Sequence, residues 1–289
     1  MHTLFVSVDE EVLQGGVANA GGVTRVGAHV LRPSNPHTPT IHRFLIGLRA
    51  VGFAGASEPV GVDPDGRERL VFIPGDVAVP PFPAWVQSPE ALASMARLMA
   101  DMHAASELVD MDGCEWSTEM VDRGAGGRLP AGADNPAVGA GLVICHNDVC
   151  PENVVFRDGA AVGFLDFDFA APGRRSYDLA QFVRMCVPVT DDESARRLGF
   201  ELSDRPAKVR LVCEAYEGAG GTLGAGGRSE LLVILDDSIA RGGEWVRSKV
   251  EAGHPGFVEM WEQIGGQETF DRRRRWWGDA RPEFASALA

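Results

Sequence analysis

The chain has 289 residues, 41 acidic against 27 basic, and a formal net charge of -14. At 45% hydrophobic it can bury a sizeable core, which excludes a disordered chain. The acid surplus excludes a general nucleic-acid binder, which needs a basic face toward phosphate, and suits a cationic small molecule.

The surplus is uneven, with eight acids and six bases in residues 1–80 and 33 against 21 in residues 81–289. Lysine occurs only twice, at Lys208 and Lys249. The five cysteines are odd in number and irregular in spacing, which fits a reducing cytoplasm. The first residues lack the basic and apolar regions of a secretory signal, and no apolar run approaches the ~20 residues of a membrane span. A cytoplasmic chain with no membrane or nucleic-acid partner is expected.

In chain order, a glycine-rich loop carries Gly15, Gly16, Gly21 and Gly22 before the strand Val23-Thr24-Arg25-Val26. Gly27-Ala28 turns into a second strand, His29-Val30-Leu31-Arg32, stopped by Pro33. Ile41, Leu45, Leu48 and Val51 recur at helical spacing over residues 40–51. A second hairpin pairs Val60-Gly61-Val62 with Leu70-Val71-Phe72-Ile73 about the turn Asp63-Pro64-Asp65-Gly66. Pro74-Gly75 and the prolines at 80, 81 and 83 read as a linker.

Beyond it the chain turns helical. Ser88 is a suitable N-cap and Pro89 a suitable first helical residue, with Leu92, Met95, Met99 and Met102 along one face. Residues 123–141 read as a loop and 142–169 as short strands and turns. Helices are predicted over 178–186, 205–217, 230–250 and 256–264. The order is a small β-rich lobe, residues 1–78, and a larger, mainly helical lobe, residues 79–289. Four arginines at 272–275 followed by Trp276-Trp277 read as a solvated helix face with two anchoring tryptophans.

The segment with chemical content is 143–168. It contains His146-x-Asp148-x-x-x-x-Asn153 and, thirteen residues later, Asp166 at the end of an apolar strand. A hairpin about Arg157-Asp158-Gly159 returns the chain, so that Asp166 can lie beside Asn153. Asn153 and Asp166 then offer two of the hard oxygens that Mg²⁺ prefers. Asp148 is held near the same point and is free to orient an acceptor hydroxyl and take its proton, an arrangement suited to phosphoryl transfer.

This segment resembles the catalytic and metal-binding loops of the aminoglycoside phosphotransferase family, relatives of protein kinases that phosphorylate small molecules. Ala171-Pro172-Gly173, Arg174 and Tyr177-Asp178-Leu179-Ala180 extend the likeness. The resemblance implies an α+β, protein-kinase-like two-lobe fold with a nucleotide lobe before a helical acceptor lobe. It implies Asp148 as catalytic base, with His146 ordering the loop. Asn153 and Asp166 would hold Mg²⁺, and Asp178, at a helix start, would brace the loop. Asp168 would be a further ligand or an acceptor contact. ATP or GTP would lie against Gly21, Gly22, Phe72 and Ile73. Acceptor contacts would come from Asp168, Glu152, Asp237 and Glu244. The partners implied are a nucleotide and a small-molecule acceptor.

The likeness departs from the kinase pattern in the first lobe. No lysine precedes position 208, so the phosphate-holding lysine of the third strand has no counterpart. Arg32 stands in the matching place and can hold phosphate oxygens through two nitrogens. No acid lies between Glu11 and Glu58, so the usual partner on the following helix is missing as well. Aminoglycoside-like resistance enzyme, metabolite kinase for an amino alcohol, sugar or nucleoside, and non-catalytic binding protein all remain open at this point. Cys145, His146 and Cys150 lack a second pair at finger spacing and read as buried thiols and a loop histidine rather than a zinc site.

Overall fold

A computed structural model describes residues 10–13, 22–125 and 142–289. Gly15, Gly16 and Gly21, and most of the loop expected over 123–141, lie outside the described residues.

The first lobe is a five-stranded antiparallel sheet. Its strands are β1 (Glu11–Val12), β2 (Thr24–Val26), β3 (His29–Pro33), β4 (Pro59–Val62) and β5 (Arg67–Val71), in the order β1-β2-β3-β5-β4. Both expected hairpins form. The second closes where the Gly66 amide donates to the Asp63 carbonyl at 2.9 Å, and Gly66 takes a φ of 84° that a Cβ would disfavour. The β3–β5 register sets Arg32 directly opposite Glu68.

Between β3 and β4 runs α1 (Thr38–Ala50), which buries Ile41, Phe44, Leu45 and Leu48. Between α1 and β4 the chain touches the second lobe. The Gly55 carbonyl accepts from the Phe164 amide at 2.9 Å, so this stretch is tied to the strand that ends near Asp166.

The expected linker is not wholly irregular. Asp76–Val77 forms β6, and a single 3₁₀ turn covers Ala84–Gln87. Ser88 then caps α2 (Pro89–Ser106), accepting from the Ala91 amide at 3.1 Å. Leu92, Met95, Met99 and Met102 are fully buried, as their spacing predicts. Full burial of a side chain of this size contributes about 1.5–3 kcal/mol.

The segment 143–173 hangs on short strands. β7 (Val143–Cys145) pairs with β10 (Ala171–Gly173), and β8 (Val154–Arg157) pairs with both β6 and β9 (Ala160–Phe164). The 158–159 turn uses positive φ at both Asp158 and Gly159, the geometry of a tight hairpin.

The remaining chain is helical: α3 (Arg175–Cys186), α4 (Asp192–Arg197), α5 (Arg205–Gly218), α6 (Gly227–Glu251), α7 (Pro255–Ile264) and α8 (Gly266–Leu288). Four of these match the predicted helices, with α3 starting three residues earlier than expected. α4 and the full length of α8 were not foreseen. Within α8, Trp277 is buried and donates to Asp236 on α6 at 2.7 Å, while Arg281 grips the same carboxylate at 2.7 and 3.0 Å. The tryptophans do anchor the helix. Arg272 is less solvated than expected, since it donates to the buried Asp191 at 2.8 Å, while Arg274 and Arg275 are exposed as predicted.

No helix among the described residues is long and apolar enough to cross a membrane.

Candidate active site

Three fully buried residues of β7 deliver the loop 146–153 to the surface of the core. A buried carboxylate fixes its start. Asp178, completely buried on α3, accepts the His146 and Asn147 amides at 2.8 Å each. It also accepts from His103 Nε2 at 2.9 Å. A carboxylate only accepts, so His103 Nε2 carries a proton toward it, and Nδ1 lies 2.7 Å from the Tyr216 hydroxyl. Burial opposes the Asp178 charge, but the bond from His103 and the nearby imidazoles outweigh it and hold the carboxyl below its usual range. The expected bracing role of Asp178 therefore has a geometric basis, and His103 and Tyr216 extend it across α2 and α5.

His146 is fully buried. Its Nε2 donates to the Leu165 carbonyl at 2.8 Å, and its Nδ1 accepts from the Asp148 amide at 3.3 Å. The ring rests on Phe167, centroids 4.5 Å apart, and burial lowers its basicity. Both nitrogens are thus engaged by backbone groups, an arrangement that fits the loop-ordering part expected of His146.

Asp148 lies beyond it, partly open. Its carboxylate accepts from Asn153 Nδ2 at 3.1 Å, and the same nitrogen donates to the Asp148 carbonyl at 2.9 Å. The Asn153 amide nitrogen is thus taken up by Asp148, which leaves Oδ1 as the atom to offer a metal. Burial, and after it the negative charge of Asp166, push Asp148 up to about 7, while Arg184 and the Asn153 bond pull it down. Glu152, half-buried beside it, adds to the upward push. Arg184, on α3, donates Nε to Gln181 Oε1 at 3.0 Å. Sequence reasoning missed it; the available signal was a lone charge in the apolar stretch Phe182-Val183-Arg184-Met185.

Asp166 and Asp168 lie beyond the hairpin, with Asp166 near enough for its charge to act on Asp148. The Leu165 amide donates to the Asn153 carbonyl at 2.8 Å, which brings residue 166 next to the loop as the thirteen-residue spacing predicts. Arg32 reaches across from β3. Its Nη1 donates to Asp166 at 2.7 Å and its Nη2 to Asp168 at 2.5 Å. Burial opposes the charge on Arg32, yet Asp166, Asp168 and Glu68 outweigh it and keep the guanidinium firmly protonated. Asp168 is raised to about 6, by burial first and by Asp166 second.

One expectation fails here. The acid that pairs with the strand cation is present, on β5 rather than on α1: Glu68, 1% exposed, accepts from Arg32 Nε at 2.6 Å. The search along the chain missed it because the pairing runs across the sheet.

Phe72 and Ile73 follow β5 and are half-buried. Phe72 lies under the Arg25 guanidinium, 4.0 Å from its centroid, and Ile73 abuts Gly163 on β9. Gly22 sits in the turn before β2. Two of the expected acceptor residues lie on α6. Asp237 is exposed and pairs with Arg241 on its own helix. Glu244 is exposed on α6, whereas its neighbour Trp245 meets Phe169 edge-to-face at 5.9 Å and donates to Glu119 at 3.3 Å. Among the described residues all five cysteines are buried free thiols, and burial pushes Cys145, Cys150 and Cys186 well up.

A loop of the form His-x-Asp-x-x-x-x-Asn, set against an Asp-x-Asp under a β-rich lobe, defines a protein-kinase-like fold. The chain belongs to the phosphotransferase enzyme family: the family's model matches residues 127–211, which include the loop, Asp166 and Asp178. A trifolitoxin immunity protein from Rhizobium leguminosarum bv. trifolii is 34% identical over 212 residues, 72% of this chain and 74% of the relative. The fold is also that of a choline/ethanolamine kinase family protein from Mesorhizobium loti, with a TM-score of 0.63 at 17% identity over 99% of this chain and 92% of the other. Aminoglycoside 2'-phosphotransferase-IIIa, solved with GDP, gives a TM-score of 0.59 at 13% identity over 94% of each chain.

Proposed function

We propose that the chain transfers the γ-phosphate of ATP or GTP to a hydroxyl of a small molecule, with residues 1–78 as the nucleotide lobe and 79–289 as the catalytic and acceptor lobe. What supports this reading is the Asp148–Asn153 pair on a braced loop, tied by the Leu165–Asn153 backbone bond to Asp166, which with Asp168 takes the Arg32 guanidinium. With its carboxyl near 7, Asp148 is suited to accept a proton from the acceptor hydroxyl near neutral pH. Asn153 orients that carboxylate through Nδ2, and His146 and Asp178 fix the backbone beneath it.

The donor set also fits Mg²⁺: two carboxylates and an amide oxygen are hard ligands, and the carboxylates already gather a cationic group in Arg32. Asn153, Asp166 and Asp168 would hold the ion, which supplies charge neutralisation at the phosphate oxygens. Arg32 and the segment Phe72–Ile73 would hold the nucleotide. The relative named for trifolitoxin immunity supports an antibiotic as acceptor, and the acids about Asp148 suit a cationic one such as an aminoglycoside.

The test is incubation with labelled ATP or GTP, Mg²⁺ and a mixed panel of antibiotics and metabolites, read as a mass shift of one phosphate. Transfer to an antibiotic is expected. Transfer confined to an amino alcohol, sugar or nucleoside would replace the acceptor assignment. Nucleotide binding with no transfer across the panel would refute catalysis and leave a binding protein.

A further inference from the structure

Arg32 is held from two sides by different kinds of support. On one side is Glu68, its direct cross-strand neighbour in the β3–β5 register. Glu68 is almost wholly buried, and each of its oxygens has one partner: Oε1 accepts from Arg32 Nε at 2.6 Å and Oε2 from His42 Nε2 at 2.7 Å. Since a carboxylate only accepts, His42 donates. The helix after the cation's strand therefore contributes a histidine that holds the acid, and the adjacent strand contributes the acid that holds the cation. On the other side are Asp166 and Asp168, whose side chains are 34% and 21% exposed and which take the two Nη groups.

The chemistry of the guanidinium makes this division useful. Its donors lie in a rigid plane, so Nε can stay on one acid while the Nη edge changes partners. A lysine has one nitrogen on a flexible stem and offers no such separation. The Arg32–Glu68 pair is also internal to one sheet. It forms when β3 and β5 pair, and a displacement of α1 would remove only the bond from His42.

We infer that Glu68 and His42 are positioning residues for the nucleotide. They pin Arg32 by Nε, so that its Nη edge passes from Asp166 and Asp168 to the phosphate oxygens of an incoming Mg²⁺-nucleotide. The inference rests on the proposed reading of Arg32 as a nucleotide contact.

Calorimetric titration with Mg²⁺-ATP and Mg²⁺-GTP tests it without relying on turnover. Arg32→Ala and Glu68→Gln should each weaken binding about tenfold or more, the scale of one charge-assisted hydrogen bond. The double variant should bind no more weakly than Arg32→Ala alone, because Glu68 acts through Arg32. His42→Gln should give a smaller loss, also absent in the Arg32→Ala background. Arg69→Gln, the next residue on β5, which pairs with Asp63 on the other face, is the control and should bind as wild type. Should Glu68→Gln fail to fold, Glu68→Asp, which keeps the charge and shortens the reach, takes its place in the cycle. Wild-type affinity in the Glu68 variant, or losses that add in the double variant, would overturn the inference and leave Arg32 as a nucleotide contact. Failure of the wild type to bind either nucleotide would overturn the reading of the site, and the inference with it.

Discussion

Asp178→Asn tests whether one buried carboxylate organises the catalytic loop. In the wild type, Oδ2 accepts both the His146 amide and His103 Nε2, and Oδ1 accepts the Asn147 amide. Asparagine has one acceptor oxygen. Placed at the Oδ2 position it keeps two bonds, and its NH₂ then faces the Asn147 amide, donor against donor. One hydrogen bond to a charged acceptor is lost in a site with no water access, which costs about 2 kcal/mol, within the 1.5–3 kcal/mol range for such bonds. For a chain of this length that lowers Tm by roughly 4 °C. The assay is urea unfolding, combined with hydrogen exchange at the Asn147 amide, which should lose protection as the loop start loosens. The pH dependence adds a sign. Asp178 sits below its usual range, so its contribution is present above the unfolded carboxylate value of about 3.9 and fades as pH falls through the folded one. The variant should therefore lose less stability than wild type in acid. Unchanged stability, unchanged exchange at Asn147 and an unchanged acid limb would refute the bracing role.

Other outcomes follow from the same geometry. Asp148→Asn should cut phosphate transfer by about 10²- to 10⁴-fold, measured as labelled product, while Mg²⁺-nucleotide affinity stays within a few-fold of wild type. Asp191 caps α4 through the Ser194 amide at 3.1 Å and holds Arg272 of α8 at 2.8 Å, so Asp191→Ala should cost about 2 kcal/mol in urea unfolding at neutral pH. Burial works against the Asp191 charge, but the bonds from Arg272 and Ser194 prevail and lower its pKa, so this loss should shrink as the pH falls below about 4. Gly199 has a φ of 82°, and a Cβ there would lie 2.5 Å from the Phe82 amide nitrogen, which is bonded to the Leu198 carbonyl. Gly199→Ala should destabilise by about 2 kcal/mol or more, visible as a lower Tm.

What the sequence revealed follows from distance along the chain. Asp148, Asn153 and Asp166 were legible because one short hairpin joins them, and a local turn rule predicts that hairpin. The helices α1, α2, α3, α5, α6 and α7 were legible from apolar spacing and, for α2, from the Ser88-Pro89 start. Glu68 was invisible for the opposite reason: it is 36 residues from Arg32 and becomes its neighbour only through the register of two strands. His103 reaches Asp178 across 75 residues, and no periodicity links them. The reach of α8 was hidden because its arginines resemble a solvated run, while their partners Asp191 and Asp236 lie on elements 81 and 45 residues away.

The same contacts change what the acid surplus means. Net charge suggested a cationic acceptor because most of the excess falls in residues 81–289. Six of the 33 acids there face a cation, which leaves the net surplus as it is but ties those carboxylates to partners: Asp122 and Glu230 to Arg174, Asp191 to Arg272, Asp236 to Arg281, Glu119 to Lys249 and Asp237 to Arg241. A carboxylate already facing a cation attracts a second one weakly, so these residues lend little to acceptor recognition. The acids of the candidate site are Asp148 and Glu152 on the loop, and Asp166 and Asp168 beyond the hairpin, the last two engaged by Arg32. On the proposed reading, substrate charge selection would rest on the groups around Asp148 more than on the whole-chain charge of -14.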